Sequence, residues 1–276
     1  QYAPLHNTAE ADVIKAFMKV LPGVPEVAVF DTSFHQTLDP VHYLYSLPYK
    51  YYEKYGARKY GAHGTSVRYV SQKAAEIMKR DLKDLKLIVC HLGSGASVTA
   101  VKDGKSFDTS MGFSPMAGIT MSSRSGDVDP SLLAFVMKKE NLDADQMLKV
   151  LNNESGLLGI SGISPDMRDL RGDMTKLEGE KKKRADLARN IFINRIIRYV
   201  GAYTLEMGGL DGIAFTAGVG EHDFGVREHV MDSLELLGLK PDSAANKENA
   251  TIITKPDSTI VGMVIPTNEE LMIERD

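Results

Sequence analysis

The sequence contains a single cysteine, and neither sign of charge is in large excess. Because Cys90 has no second cysteine to pair with, an internal disulfide is excluded and a reducing compartment is favoured. The 33 lysines and arginines stand against 37 aspartates and glutamates, a formal charge of −4, so the basic surplus of a nucleic-acid binder is missing. No apolar run approaches the roughly 20 residues of a membrane span, and no signal-peptide pattern opens the chain. These absences predict a cytoplasmic protein that binds neither nucleic acid nor membrane.

The composition, 43% hydrophobic and 25% charged over 276 residues, is that of a globular protein and excludes a disordered or low-complexity chain. At about 150 residues per domain, the length predicts two domains or one large one. The chain starts at Gln1 without a methionine and stops within residues 271–276, which resemble the first turns of a helix. We therefore expect the sequence to be part of a longer protein.

Strands alternate with long helices along the chain, which predicts the α/β class. Apolar runs predict strands at residues 85–92, 96–101 and 212–216, and the longest helical pattern covers 180–207. A further apolar run at 26–31 predicts a short buried strand that ends on a carboxylate.

Two glycine turns directly follow predicted strands, Gly-Ser-Gly at 93–95 and Ala-Gly-Val-Gly-Glu at 217–221. Glycine lets the backbone approach an anion closely, so each turn is a candidate phosphate-binding loop, although either could be only a tight connection. Neither turn matches the dinucleotide fingerprint, and no P-loop motif is present, which disfavours both of those folds. Two loops that each leave a strand fit a nucleotide site split between subdomains.

Three titratable residues lie beside strand ends or glycines. Asp31 closes the predicted strand at 26–31, where a desolvated carboxylate would be available as a base or a metal ligand. Glycines flank His63 and would let its ring face a ligand, and His91 precedes the first glycine turn. Either histidine could equally be a buried ring bonded to a backbone partner.

Other polar candidates lie in loops that precede helices. Arg124 could hold a phosphoryl group through both of its terminal nitrogens, or it could pair structurally with Asp127 or Asp129. Residues 166–168 (Asp-Met-Arg) could contact a base or ribose, although helix capping is the default interpretation. The two glutamates at 269–270 have the pattern of acids in the first turn of a helix.

Three strings occur in the order found in one family: Val-Phe-Asp-Thr-Ser-Phe-His at 29–35, Tyr-Gly-Ala-His-Gly-Thr-Ser at 60–66 and Ser-Arg-Ser-Gly-Asp at 123–127. Together they resemble the acetate kinase family, within the superfamily of acetate and sugar kinases, heat-shock ATPases and actin. The resemblance runs from residue 3 to residue 271, nearly the whole chain.

The resemblance implies an α/β fold of the ribonuclease H-like (actin-like ATPase) type, with a mixed central sheet and helices on both faces. Residues 1–32 would end an N-terminal domain whose remainder is absent, and 33–268 would form the C-terminal nucleotide-binding domain. Residues 269–276 would begin a helix that returns to the N-terminal domain. Family members are dimeric, so a homodimer is also implied.

The implied reaction is phosphoryl transfer from ATP to acetate, giving ADP and acetyl phosphate, with Mg²⁺ or Mn²⁺. On this resemblance Asp31 is the catalytic carboxylate, and His63 and Arg124 stabilise the transferring phosphoryl group. Glu269 matches a metal-associated acid, with the neighbouring Glu270 as the alternative. The implied nucleotide contacts are His91, Leu92, Gly93, Ser94, Gly95, Asp166, Met167, Arg168, Gly218, Val219, Gly220, Glu221 and His222. The implied walls of the acyl pocket are Leu5, His6, Ala62 and Pro115.

The sequence departs from the family pattern at informative places. Ala62 stands where a phenylalanine usually lines the acyl pocket, so a propionate or butyrate kinase is an alternative. His222 replaces the usual asparagine after the second glycine loop. The family's first strand and its substrate-binding arginine are not in the chain, so we expect these 276 residues alone to be poorly active. A non-catalytic ATP-binding module is the alternative from a different functional class.

Overall fold

A computed structural model describes residues 4–173 and 176–275, with side chains described from residue 10 onward. The strands are β1 (Lys86–Leu92), β2 (Ala96–Lys102), β3 (Lys105–Thr109), β4 (Gly212–Thr216) and β5 (Val261–Val264). The helices are α1 (Pro4–Val20), α2 (Pro40–Tyr43), α3 (Lys50–Tyr55), α4 (Gly64–Met78), α5 (Pro130–Glu140), α6 (Ala144–Asn153), α7 (Gly156–Ser161), α8 (Met167–Arg171), α9 (Gly179–Met207), α10 (Ala217–His222), α11 (Phe224–Asp232), α12 (Ser243–Lys247) and α13 (Glu269–Glu274). Short 3₁₀ turns occupy Ser33–Thr37, Leu82–Asp84 and Glu235–Leu237.

The five strands form one mixed sheet in the order β3-β2-β1-β4-β5. β1 pairs with β2 and β2 with β3 in antiparallel fashion, whereas β1 pairs with β4 and β4 with β5 in parallel. The strands predicted at 85–92, 96–101 and 212–216 are therefore confirmed. The parallel pairs β1/β4 and β4/β5 align their carboxyl ends at one edge, which is where α/β sheets bind ligands.

The two faces of the sheet belong to two hydrophobic clusters, because successive side chains of a strand point to opposite sides. Ile88, Cys90 and Leu92 of β1 pack in the cluster that contains α9. Leu87 and Val89 pack in the cluster that contains α4. Helices thus cover both faces of a mixed sheet, as the fold prediction requires.

The long helix predicted at 180–207 is confirmed as α9, which ends at Gly208 in the left-handed conformation. Within the described residues, no helix combines the length and apolar character needed to cross a bilayer.

The prediction of a buried strand at 26–31 is wrong. The segment has no ladder partner among the described residues, and Val27 and Phe30 are 75% and 66% exposed. A strand is stabilised only by pairing with a neighbour, so an apolar run without one stays outside the sheet. Asp31 consequently lies at the surface and not at the end of a desolvated strand.

Candidate active site

The first glycine turn, Gly93 to Gly95, joins β1 to β2 and lies against two of the predicted catalytic residues. A methyl group placed on Gly95 would lie 3.3 Å from Arg124 Nη1 and 3.5 Å from His63 Nε2. A methyl group on Gly93 would lie 3.6 Å from His91 Nε2. The turn, two imidazoles and one guanidinium therefore meet at one point at the edge of the sheet.

His63 and His91 form a stacked pair beside this turn. Their ring centroids are 4.0 Å apart with an interplanar angle of 17°. His91 belongs to β1, whereas His63 precedes α4 and has a left-handed backbone with φ of 60°. Burial, then the positive charge of Arg124 and then His35, lowers the pKa of His63 to about 4. Burial and then His63 lower the pKa of His91 to about 3, against a raising effect of Asp31. Both rings are therefore neutral at pH 7.

Arg124 is half-buried and accounts for the cationic charge of the site. Its Nη1 donates to the carbonyl of Pro115 at 3.0 Å, and burial lowers its pKa. The alternative of a structural ion pair is not what the fold shows. Asp127 accepts from the amide of Gly118 at 2.8 Å, and Asp129 caps α5 by accepting from the Ser131 amide at 2.7 Å. In the part of the chain that the structure describes, no carboxylate bonds to Arg124.

Asp31 is held next to this cluster by backbone hydrogen bonds at the start of α4. The amide of His63 donates to Asp31 Oδ2 at 2.5 Å, and the amide of Thr65 reaches Oδ1 at 3.4 Å. Gly64 permits this approach: a Cβ there would lie 2.3 Å from the carbonyl oxygen of Asp31. The glycine next to His63 is thus required by packing against Asp31.

Glu269 is the first residue of α13 and lies within electrostatic range of Asp31. Burial raises the pKa of Glu269, and the negative charge of Asp31 raises it further. A carboxylate whose pKa is raised by a neighbouring negative charge offers oxygen atoms that a hard divalent cation stabilises. The donor set of Asp31 and Glu269 therefore fits Mg²⁺ or Mn²⁺.

A cavity of about 790 Å³ extends from the first glycine turn. Eight of the predicted nucleotide contacts line it: Gly93, Ser94, Asp166, Met167, Arg168, Gly218, Val219 and His222. Asp166 also caps α8, because it accepts from the Arg168 amide at 2.8 Å, so the capping interpretation and the cavity contact hold together. The volume falls in the range of ordinary ligand pockets.

The other five predicted nucleotide contacts do not line the cavity. Leu92 is fully buried in the core, and Gly220 is buried within α10, the helix that residues 217–222 form in place of the predicted second glycine turn. Glu221 accepts from the amide of Ala217 at 2.8 Å and so stabilises that segment. His91 stacks on His63, and Gly95 faces Arg124 and His63.

The predicted acyl-pocket residues lie in three different segments of the chain. Ala62 is 8% exposed and packs in the α9-side core cluster, and Pro115 is half-buried and accepts from Arg124. Leu5 and His6 lie in α1, and their side chains lie outside the described residues.

Sequence reasoning missed several residues that build the site. Nine further residues line the cavity: Ser122, Ser123, Asn153, Leu157, Leu158, Pro165, Arg171, Phe192 and Asp223. Arg227 of α11 is fully buried and donates to the carbonyl of Gly220 at 2.8 Å and to Asn246 Oδ1 at 2.7 Å. An arginine in an amphipathic helix has the pattern of a solvated residue, so no sequence signal could have revealed this role.

Comparison with known proteins gives consistent matches over the whole chain. The sequence model of the acetokinase family matches residues 1–275. The acetate kinase of Lacticaseibacillus paracasei is 57% identical over an alignment of 279 positions, which covers 100% of this chain and 69% of that protein. Acetate kinase 2 of Listeria monocytogenes is 52% identical with the same two coverages.

Solved structures match equally well. The crystal structure of Porphyromonas gingivalis acetate kinase has a TM-score of 0.94 at 44% identity, covering 100% of this chain and 69% of that one. A propionate kinase from Francisella tularensis has a TM-score of 0.91 at 42% identity, covering 99% and 69%. These neighbours have the actin-like ATPase fold, so the predicted fold class is confirmed.

Proposed function

This chain belongs to the acetokinase family, and on that basis we propose that it transfers the γ-phosphoryl group of ATP to acetate, giving ADP and acetyl phosphate. The observation that carries the proposal is the meeting of His63 Nε2 and Arg124 Nη1 at Gly95. Donors of this kind, fixed before the substrate arrives, stabilise charge that develops on a transferring phosphoryl group.

We assign His63 and Arg124 to the equatorial oxygens of that group. Arg124 supplies a permanent positive charge and two donor nitrogens, and it has no carboxylate to release among the described residues. His63 is neutral near pH 7, since its pKa is about 4, and it contributes a polar N–H without a full charge. His91 stacks on it and contributes a second imidazole to the same turn.

We assign the carboxylate side to Asp31 and Glu269. Both would hold Mg²⁺ or Mn²⁺, which supplies charge neutralisation between the phosphates and the incoming carboxylate. Asp31 lies next to His63, so a metal held by its carboxylate would be close to the side chains that we assign to the phosphoryl oxygens. The raised pKa of Glu269 beside Asp31 supports this assignment.

The adenosine part of ATP would occupy the cavity of about 790 Å³. Its walls would present the ion pair of Asp166 and Arg168 (Oδ2 to Nη2, 2.6 Å) to the ribose, and the backbone at Gly218 and Val219 to the rest of the nucleotide. The continuous lining from Gly93 to Gly218 supports one bound molecule that reaches from the base to the phosphoryl site.

We also propose a domain boundary near residue 32, a homodimer and a cytoplasmic location. Residues 10–28 are all exposed, whereas His35 and Leu38 are buried, which supports the boundary. Tyr49 and Tyr55 are 58% and 55% exposed, and such aromatic side chains are typical of interfaces between subunits. The single buried cysteine supports a reducing compartment.

The reaction is tested by trapping acetyl phosphate as its hydroxamate with the natural protein, purified and supplied with MgATP and acetate. We expect hydroxamate that depends on both substrates. Binding of MgATP by calorimetry without any hydroxamate would instead favour a non-catalytic ATP-binding module. A propionate or butyrate kinase is the second candidate, favoured by the small side chain of Ala62, and it predicts faster hydroxamate formation with the longer acid.

A further inference from the structure

Serine hydroxyls contact the Nδ1 atoms of three buried or nearly buried histidines. The three pairs are His35 with Ser106 at 2.8 Å, His63 with Ser97 at 2.9 Å and His91 with Ser66 at 2.9 Å. Only His35 has its second ring nitrogen satisfied by the protein, since its Nε2 lies 2.9 Å from the carbonyl oxygen of Ala62. His35 is therefore a structural histidine.

The other two rings have Nε2 directed at the first glycine turn, Gly93 to Gly95. A methyl group on Gly95 would lie 3.5 Å from His63 Nε2, and one on Gly93 would lie 3.6 Å from His91 Nε2. Among the described residues, neither of these Nε2 atoms makes a hydrogen bond. Each ring thus has one nitrogen held by a serine and one directed at the glycine turn.

The chemistry of phosphate decides which nitrogen carries the hydrogen. A phosphoryl oxygen only accepts hydrogen bonds, and a neutral imidazole has one N–H and one acceptor nitrogen. For Nε2 to donate to the phosphoryl group, Nδ1 has to accept, and its serine has to donate. We propose that Ser97 and Ser66 are positioning residues that hold His63 and His91 as Nε2–H tautomers by donating their hydroxyl hydrogens to Nδ1. This proposal rests on the phosphoryl-transfer function proposed above.

The hydrogen bond of Ser66 extends this arrangement to the C-terminal segment. Ser66 Oγ also lies 2.7 Å from Thr267 Oγ1. Because the single hydroxyl hydrogen of Ser66 is used by His91, Thr267 is the donor to Ser66. A chain of hydroxyls then runs from Thr267 through Ser66 to His91, and each bond polarises the next. Thr267 lies two residues before Glu269 on the chain, so the same bonds link the carboxylate side to the phosphate turn.

Because both serines are buried, water cannot readily replace the hydrogen bonds of their hydroxyls. Ser66 and Ser97 are both 0% exposed, so water has no ready access to Nδ1 if the hydroxyl is removed. An unpaired Nδ1 no longer enforces the Nε2–H tautomer, and the stacked rings lose the contact that fixes their rotation. Loss of either hydroxyl should therefore weaken phosphoryl stabilisation without removing any atom that contacts the phosphate.

The direct test is the tautomer of each ring, read from long-range ¹H–¹⁵N correlation spectra of histidine-labelled protein without nucleotide. We expect Nε2–H for His63 and His91 in the parent. In Ser97→Ala we expect a mixed signal for His63 alone, and in Ser66→Ala for His91 alone. Ser106→Ala is the matched control: His35 should stay an Nε2–H tautomer, because the Ala62 carbonyl still accepts from its Nε2, and the signals of His63 and His91 should not change. An Nδ1–H tautomer of His63 or His91 in the parent would overturn the proposal even if every variant failed to fold.

Activity gives a second readout. In Ser97→Ala we expect kcat to fall by roughly 10- to 100-fold while KM for ATP changes by less than about threefold, because the donor acts mainly in the transition state. Ser71→Ala, which removes another fully buried serine of α4 that donates to the Arg68 carbonyl, should keep the parental kcat. Equal losses in Ser97→Ala and Ser71→Ala would contradict a positioning role. The spectra do not require turnover, so they still decide the tautomer if acetyl phosphate is never formed.

Discussion

The two sides of the candidate active site are built in different ways. The phosphate side, defined as Gly93–Gly95 with His63, His91 and Arg124, lies at the end of a buried strand pair, and His91 is only 8% exposed. The carboxylate side, defined as Asp31 and Glu269, lies nearer the surface, because Asp31 is exposed and Glu269 is half-buried. Asp31 is held through backbone amides at the start of α4. Strand pairing positions His91 and the glycine turn of the first side, whereas a few hydrogen bonds hold Asp31 on the second.

This difference determines what substitutions report. On the phosphate side, the hydrogen bonds of neighbouring residues remain when one side chain is removed. The loss of activity then reports what that side chain contributes to the reaction. On the carboxylate side, Asp31 contacts His63 and Thr65 through the backbone, so a change there alters position and charge together. Four predictions test this difference, given from the largest expected effect to the smallest.

The largest effect is expected for Arg124→Ala. We expect kcat to fall by roughly 100- to 1,000-fold with ATP affinity nearly unchanged, because the guanidinium stabilises charge mainly in the transition state. Steady-state kinetics together with calorimetric binding of MgATP in the absence of acetate give both quantities. Arg184→Ala is the matched control, since this exposed arginine only donates to backbone carbonyls such as that of Ile160. An equal loss of nucleotide affinity in Arg124→Ala would indicate a ground-state role.

The next effect is expected for Asp31→Asn, which keeps an acceptor for the His63 amide but removes the negative charge. We expect the Mg²⁺ concentration for half-maximal activity to rise by roughly 10- to 100-fold, because an amide oxygen is a weaker ligand than a carboxylate. The control is Asp39→Asn at the exposed start of α2. If the Mg²⁺ dependence does not move, Asp31 does not hold the metal.

A pH effect on stability is expected from the phosphate side. The folded-state pKa values of His63 and His91, about 4 and about 3, lie below the unfolded value of 6.5. At pH values between the folded and unfolded pKa, the unfolded chain binds more protons than the folded chain. The free energy of unfolding therefore falls as the pH drops below 6.5, by at most about 1.4 kcal/mol per pH unit for each histidine.

Urea unfolding at pH 7.5 and 5.5 measures that slope. The double variant His63→Gln/His91→Gln should lose less stability over this interval than the parent does, whatever its stability at pH 7.5. An identical difference between the two pH values in parent and double variant would mean that the buried pair does not produce the dependence.

The smallest effect is expected for Ala62→Phe. We expect the ratio of kcat/KM for acetate over propionate to rise by a few-fold, below the roughly 10-fold effect of a fully recognised methylene, because Ala62 packs partly in the core. Ala62→Val serves as an intermediate in size. An unchanged ratio in both variants would remove Ala62 from the acyl pocket.

Sequence predicted the phosphate side better than the carboxylate side, for a physical reason. The apolar run 85–92 followed by Gly-Ser-Gly is local information, and it predicted both the strand β1 and the turn that follows it. The run at 26–31 has the same apolar character, but a strand also needs a partner, which the run itself does not encode. The position of Asp31 could therefore not be derived from its own segment.

Supporting residues were the hardest to foresee. Ser97 lies in an ordinary β-strand and Arg227 in an ordinary amphipathic helix, so neither has a local pattern that distinguishes it. Their roles depend on His63 and Gly220, which lie 34 and 7 residues away in sequence. The resemblance names residues that would contact substrate, whereas the fold was needed to find those that hold them in place.

The preformed phosphate side is tested most directly by hydrogen exchange of the chain with and without MgADP, followed by mass spectrometry. We expect MgADP to slow exchange in peptides that cover residues 92–95 and 217–222, and to leave those covering 26–30 unchanged. Slowed exchange at 26–30 with no change at either glycine segment would contradict a nucleotide site built on the sheet edge.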